Sequence, residues 1–349
     1  MNLLNPYDIK EIAEHDLKLA ESMKDNSYKG MKILIFQPVA AGDNIVASLG
    51  AELFHIKYPG CKVDFFTTLH ESESLLKHNP FINKVIVNKD WELFNTRATA
   101  SKGSVPGPLR QEYDLAYGLY WWNAPMVQSF LEDMELPTDY THVRLYGADL
   151  EVLPDLIKTD LCCDLLASIP KIVLQNEESL KKVWKTDTEY VILKEGLKEL
   201  GVVFEVGAGC GLDFYQTASL LYYSDLFVGY HGSQEHMAAA VDCQTVVMSR
   251  EWNPADSLTA YYQNKYMPAN KQHRVVRPKK WCENFNRCIT KNPDEFVHKL
   301  PPYGFPNKFP PHKNKECDFG FEKSCIYDGI KAEDVLEQVR IALNEEKEA

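Results

Sequence analysis

Hydrophobic positions recur at helical spacing over residues 5–24, where Ile9, Ile12, Ala13, Leu17, Ala20 and Met23 share one face, Asn5 can cap and Pro6 suits the first turn. From Lys32 the pattern changes to short apolar runs separated by helical stretches. KILIFQP, a helix over Asp43–Tyr58, KVDFFTT, a helix over Glu71–Lys77 and KVIVN alternate in order, and YDLAYGLY (Tyr113–Tyr120) offers a further strand before a partly helical stretch over Trp121–Leu136. Such alternation predicts a parallel sheet covered by helices. A second series follows: KIVLQN, a helix over Glu189–Leu200, VVFEV, a helix over Tyr215–Tyr223, DLFVG, a helix from Ser233 and TVVMS. Ala332–Asn344 closes the chain as an amphipathic helix, with Val335, Leu336, Val339, Ala342 and Leu343 on its apolar face. The expected fold class is α/β, with two Rossmann-like, doubly wound domains facing a cleft. A helical extension would occupy 1–30, the first domain 31–165, the second 166–330 and the closing helix 331–349.

Composition agrees with this plan. A chain of 349 residues exceeds what one hydrophobic core usually serves, and 45% hydrophobic with 25% charged residues is globular. No stretch approaches the roughly 20 apolar residues of a membrane span, and MNLLNPYDIKEIAEHD has no basic start followed by an apolar run, so a cytoplasmic protein is expected. Nine cysteines then read as reduced thiols. Net charge −12 argues against simple nucleic-acid binding. Residues 265–315 stand apart, with twelve Lys/Arg against three Asp/Glu, interleaved with Trp281, Phe285, Phe296, Tyr303, Phe305 and Phe309. This segment suits a phosphate-bearing or otherwise anionic partner, nucleic acid included, or else a solvated loop that Pro301, Pro302, Pro306, Pro310 and Pro311 keep extended and irregular.

Three stretches carry candidate chemistry. PVAAGDNIVAS (Pro38–Ser48) ends the first strand, and Gly42 permits a tight turn that sets Asp43 at the start of the next helix, where open α/β sheets bind ligands. Asp43 reads either as a reacting carboxylate or as a helix cap. In DLFVGYHGSQEHMAAA (Asp225–Ala240) a strand breaks at Gly229 into a turn and a helix of small residues, whose free N–H groups favour a phosphate. His231 and His236 lie beside that turn, as ligand contacts or as buried, hydrogen-bonded histidines. EESLKKVWK (Glu177–Lys185) brings Lys181, Lys182 and Lys185 to the same edge, one of them to neutralise a diphosphate or all of them merely solvated. Cys282, Cys288, Cys317 and Cys325 do not have structural-zinc spacing, so no metal site is expected, and Cys162–Cys163 reads as packed thiol.

Together these stretches resemble the heptosyltransferase family, glycosyltransferase family 9, of the GT-B fold. MKILIFQPVAAGDNIVASLGAELFHIKYPGCKVDFFTT is similar to its opening strand, glycine-aspartate turn and helix; HNPFINKVI resembles its next element, and KKVW its lysine-x-tryptophan segment. SLLYYSDLFVGYHGSQEHMAAA is similar to its second-half signature, and SCIYDGIKAEDV to its close. The resemblance spans roughly 31–345. It implies an acceptor domain over 31–165, a donor domain over 166–330, and inverting, metal-independent transfer of a sugar from a nucleotide-diphosphate sugar to an acceptor hydroxyl. Asp43 would be the general base, with Lys182 stabilising the leaving diphosphate. Gly42, Glu178, Ser179, His231, Gly232, Ser233, Gln234 and His236 would hold the donor, with no cofactor besides it. The implied acceptor is a cell-surface saccharide of lipopolysaccharide type. A DNA base, reached through 265–315, is an alternative acceptor. A non-catalytic nucleotide-sugar-binding protein is a third reading, because the acidic position of the family signature falls on His231, with Gly232 and Ser233 exchanged for its hydroxyl residue and glycine.

Overall fold

The computed structural model describes residues 6–38, 40–88, 105, 107–119, 126–140, 142–163, 166–181, 183–184, 187–248, 273–276 and 330–348. The first half contains β1 (Lys32–Phe36), α2 (Ala41–Ala47), α3 (Leu49–Lys57), β2 (Lys62–Thr67), α4 (His70–Leu76), β3 (Lys84–Val87), α5 (Gly107–Arg110), β4 (Leu115–Gly118) and α6 (Met126–Asp133), preceded by α1 (Pro6–Ser22). Its four strands are parallel in the order β3-β2-β1-β4. After α7 (Asp155–Cys162) the second half runs β5 (Lys171–Gln175), α8 (Glu177–Leu180), α9 (Asp187–Lys198), β6 (Val202–Val206), α10 (Phe214–Tyr222), β7 (Leu226–Tyr230), α11 (Ser233–Ala240), β8 (Gln244–Met248) and β9 (His273–Val276), ending in α12 (Ala332–Glu348). These strands are parallel in the order β6-β5-β7-β8-β9. Runs such as ILIF and IVL are buried on both faces, as parallel strands between helix layers require.

Each sheet reverses its strand order beside its first strand, β1 or β5, and each uses the same pin at the opposite end. Lys32 N donates to Asp114 Oδ2 at 2.8 Å while Asp114 N donates to Lys32 O at 2.9 Å. Lys171 N and Asp225 Oδ2 are 2.7 Å apart, and Asp225 N returns a 2.9 Å bond to Lys171 O. An aspartate preceding the crossover strand thus sets the register of both switch points, which aligns the strand ends where ligands bind.

The halves share one apolar core. Ile45, Ala47 and Leu75 of the first half belong to the same buried cluster as Ala218, Leu221, Met237 and Ala240 of the second. Here α2 packs on α11 and α4 on α10. The connecting segment follows the seam: Leu145 N donates to Ala240 O at 2.9 Å, and Tyr215 Oη donates to Gly147 O at 2.5 Å. The stripe read in the closing helix is the face that α12 buries on α9 and β8.

Four sequence expectations change. The helix expected over Asp43–Tyr58 starts at Ala41 and divides at Ser48, whose hydroxyl donates to Ile45 O at 2.7 Å and competes with the backbone ladder. In α1, Leu17 and Met23 are 62% and 65% exposed and Ala13 and Ala20 also face solvent, because the helix docks on α3 through His15, Leu19 and Ser22. Part of the segment read as extended and irregular is β9, paired with β8; the rest of 265–315 lies outside the described residues, as do Asn5 and 121–125. Cys162 is exposed at the end of α7, not packed, while Cys61, Cys163, Cys210 and Cys243 are also free thiols.

A polar seam accompanies the apolar one. Glu52 of α3 is 0% exposed and meets His15 Nε2 at 3.1 Å and Arg144 Nη2 at 2.9 Å, while Arg144 Nη1 reaches Asp16 Oδ1 at 2.7 Å. Further along, His142 Nε2 lies 3.2 Å from Asp242 Oδ1, and His273 Nδ1 lies 3.0 Å from Thr245 Oγ1. Burial pushes the His273 imidazole down to about 4, partly opposed by the Asp242 charge. The unfolded chain, with an ordinary histidine near 6.5, takes up a proton that the folded protein refuses. Stability should therefore fall as pH drops from about 6.5 to about 4, by roughly 3 kcal/mol for this group. His55 and His78, also held down chiefly by burial, act in the same direction. Urea titrations across this range should show the slope flattened in His273→Gln; an unchanged slope would remove His273 as its source.

Candidate functional site

The C-terminal ends of β1 and β5, where the strand order of each sheet reverses, form the candidate site. At the first, Gln37 follows β1, and Ala40 turns the chain with φ of 61° into α2. Asp43 is therefore the third residue of that helix and not its cap, which corrects the capping reading. Its carboxylate is half-buried and accepts from Gln37 Nε2 at 3.4 Å. The next residue, Asn44, is fully buried and donates from Nδ2 to Thr67 Oγ1 and Ser72 Oγ, both at 2.8 Å. These bonds tie the start of α2 to β2 and α4, so the turn presenting Asp43 is held from behind.

At the second switch point Gln175 is the last residue of β5, one position before Asn176, which is the register equivalent of Gln37. Gln175 is 1% exposed; its Oε1 accepts from Tyr230 N at 2.8 Å, and its Nε2 donates to Gln234 Oε1 at 3.2 Å. Ser233 Oγ also donates to Gln234 Oε1 at 3.2 Å. The Gln234 carbonyl oxygen is thus turned toward its own sheet. Gly232 precedes α11 as its N-cap and brings no side-chain oxygen to the amides of Ser233–Glu235. His231 N donates to Met248 O at 3.3 Å, and its half-buried ring meets Tyr230 edge-on at 5.9 Å.

Asn176 caps α8 by accepting from Ser179 N at 3.1 Å, while its Nδ2 donates to Ala208 O at 2.6 Å and to Cys210 Sγ at 3.3 Å. Gly207, at φ of 128°, follows β6 so close to this cap that an added Cβ would lie 2.6 Å from Asn176 Oδ1 and 2.7 Å from Ser179 Oγ. The loop 207–211 is therefore packed directly against the start of α8. Glu178 lies on the outer side of α8, exposed, 3.1 Å from Lys181 Nζ. Lys181 also lies 3.6 Å from Glu177 and sits on a solvated surface. Trp184 proves structural: its ring is buried in the second core and its Nε1 donates to Ile330 O at 2.9 Å, fastening this segment to the approach of α12. Lys182, Lys185, Cys282, Cys288, Cys317 and Cys325 lie outside the described residues.

The two ends meet through Gly42 and His236. An added Cβ on Gly42 would lie 2.4 Å from His236 Cδ2 and 3.0 Å from its Nε2, so the imidazole rests on the bare backbone of α2 next to Asp43. His236 is 4% exposed, as the buried-histidine reading expects, yet it sits at the join of the two halves. Sequence reasoning found Gly42, Asp43 and His236 but missed Gln37, Asn44, Gln175, Asn176 and Glu235. A legible signal existed at these strand ends, since KILIFQ and KIVLQN each pass from an apolar run to an amide side chain.

Among the described residues no group of three or more His, Cys, Asp or Glu side chains could hold a metal ion, and no helix is long and apolar enough to cross a membrane. No family model matches this sequence, and no curated protein matches it. Solved structures do match. A glycosyl transferase family 9 protein from Veillonella parvula DSM 2008 superposes with a TM-score of 0.57 at 11% identity, covering 92% of this chain and 99% of that one. The iron-containing dodecameric glycosyltransferase TibC from enterotoxigenic E. coli H10407 gives 0.55 at 16% identity over 92% of this chain and 78% of its own. TibC in complex with ADP-D-beta-D-heptose gives 0.55 at 16% identity, over 91% and 78%. With its two parallel sheets, joined halves and paired switch points, this chain has the GT-B fold of these glycosyltransferase family 9 structures over nearly all of the length compared.

Proposed function

We propose that the protein is an inverting, metal-independent glycosyltransferase that moves a sugar from a nucleotide-diphosphate sugar to an acceptor hydroxyl. The observation that carries this reading is Asp43: a half-exposed carboxylate at a switch point, steadied by Gln37, on a turn anchored by Asn44 and set against the helix that opens the second switch point. Asp43 accepts the proton of the acceptor hydroxyl as its oxygen attacks the anomeric carbon. The bond from that carbon to the diphosphate breaks on the opposite side, inverting the centre. Charge gathering on the leaving phosphate meets the N–H groups of Ser233, Gln234 and Glu235 and the ammonium of Lys182. A lysine and a helix end supply there what a divalent cation would otherwise supply. Gly42, Glu178, Ser179, His231, Gly232, Ser233, Gln234 and His236 are the proposed donor contacts, with the donor on residues 166–330 and the acceptor on 31–165.

The structure of TibC with ADP-D-beta-D-heptose supports a nucleotide-diphosphate heptose as the first donor to try; the acceptor we propose to pair with it is a saccharide of lipopolysaccharide type. A panel of nucleotide-diphosphate sugars should contain one that raises the melting temperature progressively with concentration, by linkage between binding and folding. In Lys182→Ala that rise should shrink markedly, and in Lys181→Ala hardly at all. Chelator should leave turnover intact. A panel with no stabilising donor, or turnover restored only by magnesium or manganese, would overturn the proposal.

A further inference from the structure

We propose that Glu235 is a positioning residue: its buried carboxylate holds the His236 imidazole across the seam, with the opposite ring edge against Gly42, and so sets the place of the Asp43 turn relative to α11. The inference rests on the reading of Asp43 as the base. Glu235 is the third residue of α11 and is 0% exposed. An acid that serves only the helix dipole works from the surface, as Glu178 does at the start of α8. A carboxylate withdrawn from water costs several kcal/mol unless a partner compensates it. His236 Nδ1 lies 3.5 Å from Glu235 Oε2, although neighbouring residues on a helix ordinarily point apart. The ring's other edge, Cδ2 and Nε2, occupies the space where a side chain at position 42 would stand. One imidazole therefore stands between a buried carboxylate 3.5 Å from its Nδ1 on the donor side and a glycine on the acceptor side, one residue from Asp43.

Two perturbations from opposite sides test this. Histidine ring 15N spectra, with His236 assigned by its loss in His236→Asn, should show the ring proton on Nδ1 in the wild type at mildly alkaline pH. Glu235→Gln keeps an accepting oxygen and should preserve that tautomer; Glu235→Met should move the proton to Nε2. Gly42→Ala should displace the His236 signals with Glu235 intact. With the donor that stabilises the protein in the thermal panel, Glu235→Met and Gly42→Ala should lower kcat by roughly 10²-fold, the scale of a 1 Å misplacement, with a much smaller change in donor KM. Glu235→Gln should keep kcat within a few-fold of wild type. Protonation at Nε2 in the wild type, a tautomer indifferent to Glu235→Met, or wild-type kcat in both Glu235→Met and Gly42→Ala would overturn the proposal. The ring spectra need no substrate, so a failed donor panel would sink the transferase reading while the tautomer series still decided what Glu235 does to His236.

Discussion

Replacing Asp43 by asparagine is expected to lower sugar transfer by roughly 10²- to 10⁴-fold, the usual worth of a general base, while leaving donor binding and folding nearly unchanged. The amide retains an oxygen that can accept from Gln37 Nε2, and Asn44 still anchors the turn through Thr67 and Ser72. It cannot take the acceptor's proton. Because Asp43 is not the cap of α2, the substitution costs only a charge in the first turn, about 0.3–1 kcal/mol. Single-turnover assays with saturating donor isolate the chemical step, and wild-type rates there would dismiss Asp43 as the base. An equal loss in donor affinity would instead assign the carboxylate to binding.

The largest effect on stability is expected from Arg144→Ala. Arg144 leaves the connecting segment to reach Asp16 of α1 and the fully buried Glu52 of α3, so one guanidinium fastens three parts of the chain. Burial pushes the Glu52 carboxyl up, but the His15 hydrogen bond and the Arg144 charge outweigh it and hold the group below the ordinary carboxylate range. Removing the cation strands a buried charge, a loss on the order of 3–5 kcal/mol. Arg144→Lys should recover only part of it, since a single ammonium cannot reproduce the two-pronged contact to Asp16 and Glu52. A depressed carboxyl stabilises the fold above its unfolded value and ceases to do so as pH falls through its folded one. The gap between wild type and mutant in urea titrations should thus be widest near neutral pH and narrow in acid. A gap that is small at pH 7, or constant with pH, would show that Glu52 is satisfied without Arg144.

How far the sequence reached follows from the range of the forces involved. Strand periodicity and turn residues are local, so β1 through β8 and the closing helix were legible as short apolar runs and an amphipathic stripe. Asp43 and the turn at Gly232 were legible as well, as small and polar residues at a strand end in an otherwise apolar run. The sequence could not show that Asp43 lies inside α2, since nothing local marks Ala40 for the positive φ from which the helix starts at Ala41. Nor could it show which face of α1 docks. His15 and Leu19 face inward because Glu52, far along the chain, offers a buried carboxylate to meet, and Leu17 and Met23 are left to solvent.

By itself, then, the order of residues determined the two sheets, their shared plan and the place where chemistry should be sought. Only the tertiary structure decided that Gly42 receives His236, that Glu235 is sealed behind it, and that Arg144 closes the seam on Glu52. These are pairings between groups distant in sequence or buried by other elements. Their energies come from excluding water around a charge or a ring, which no local pattern encodes before the halves have met.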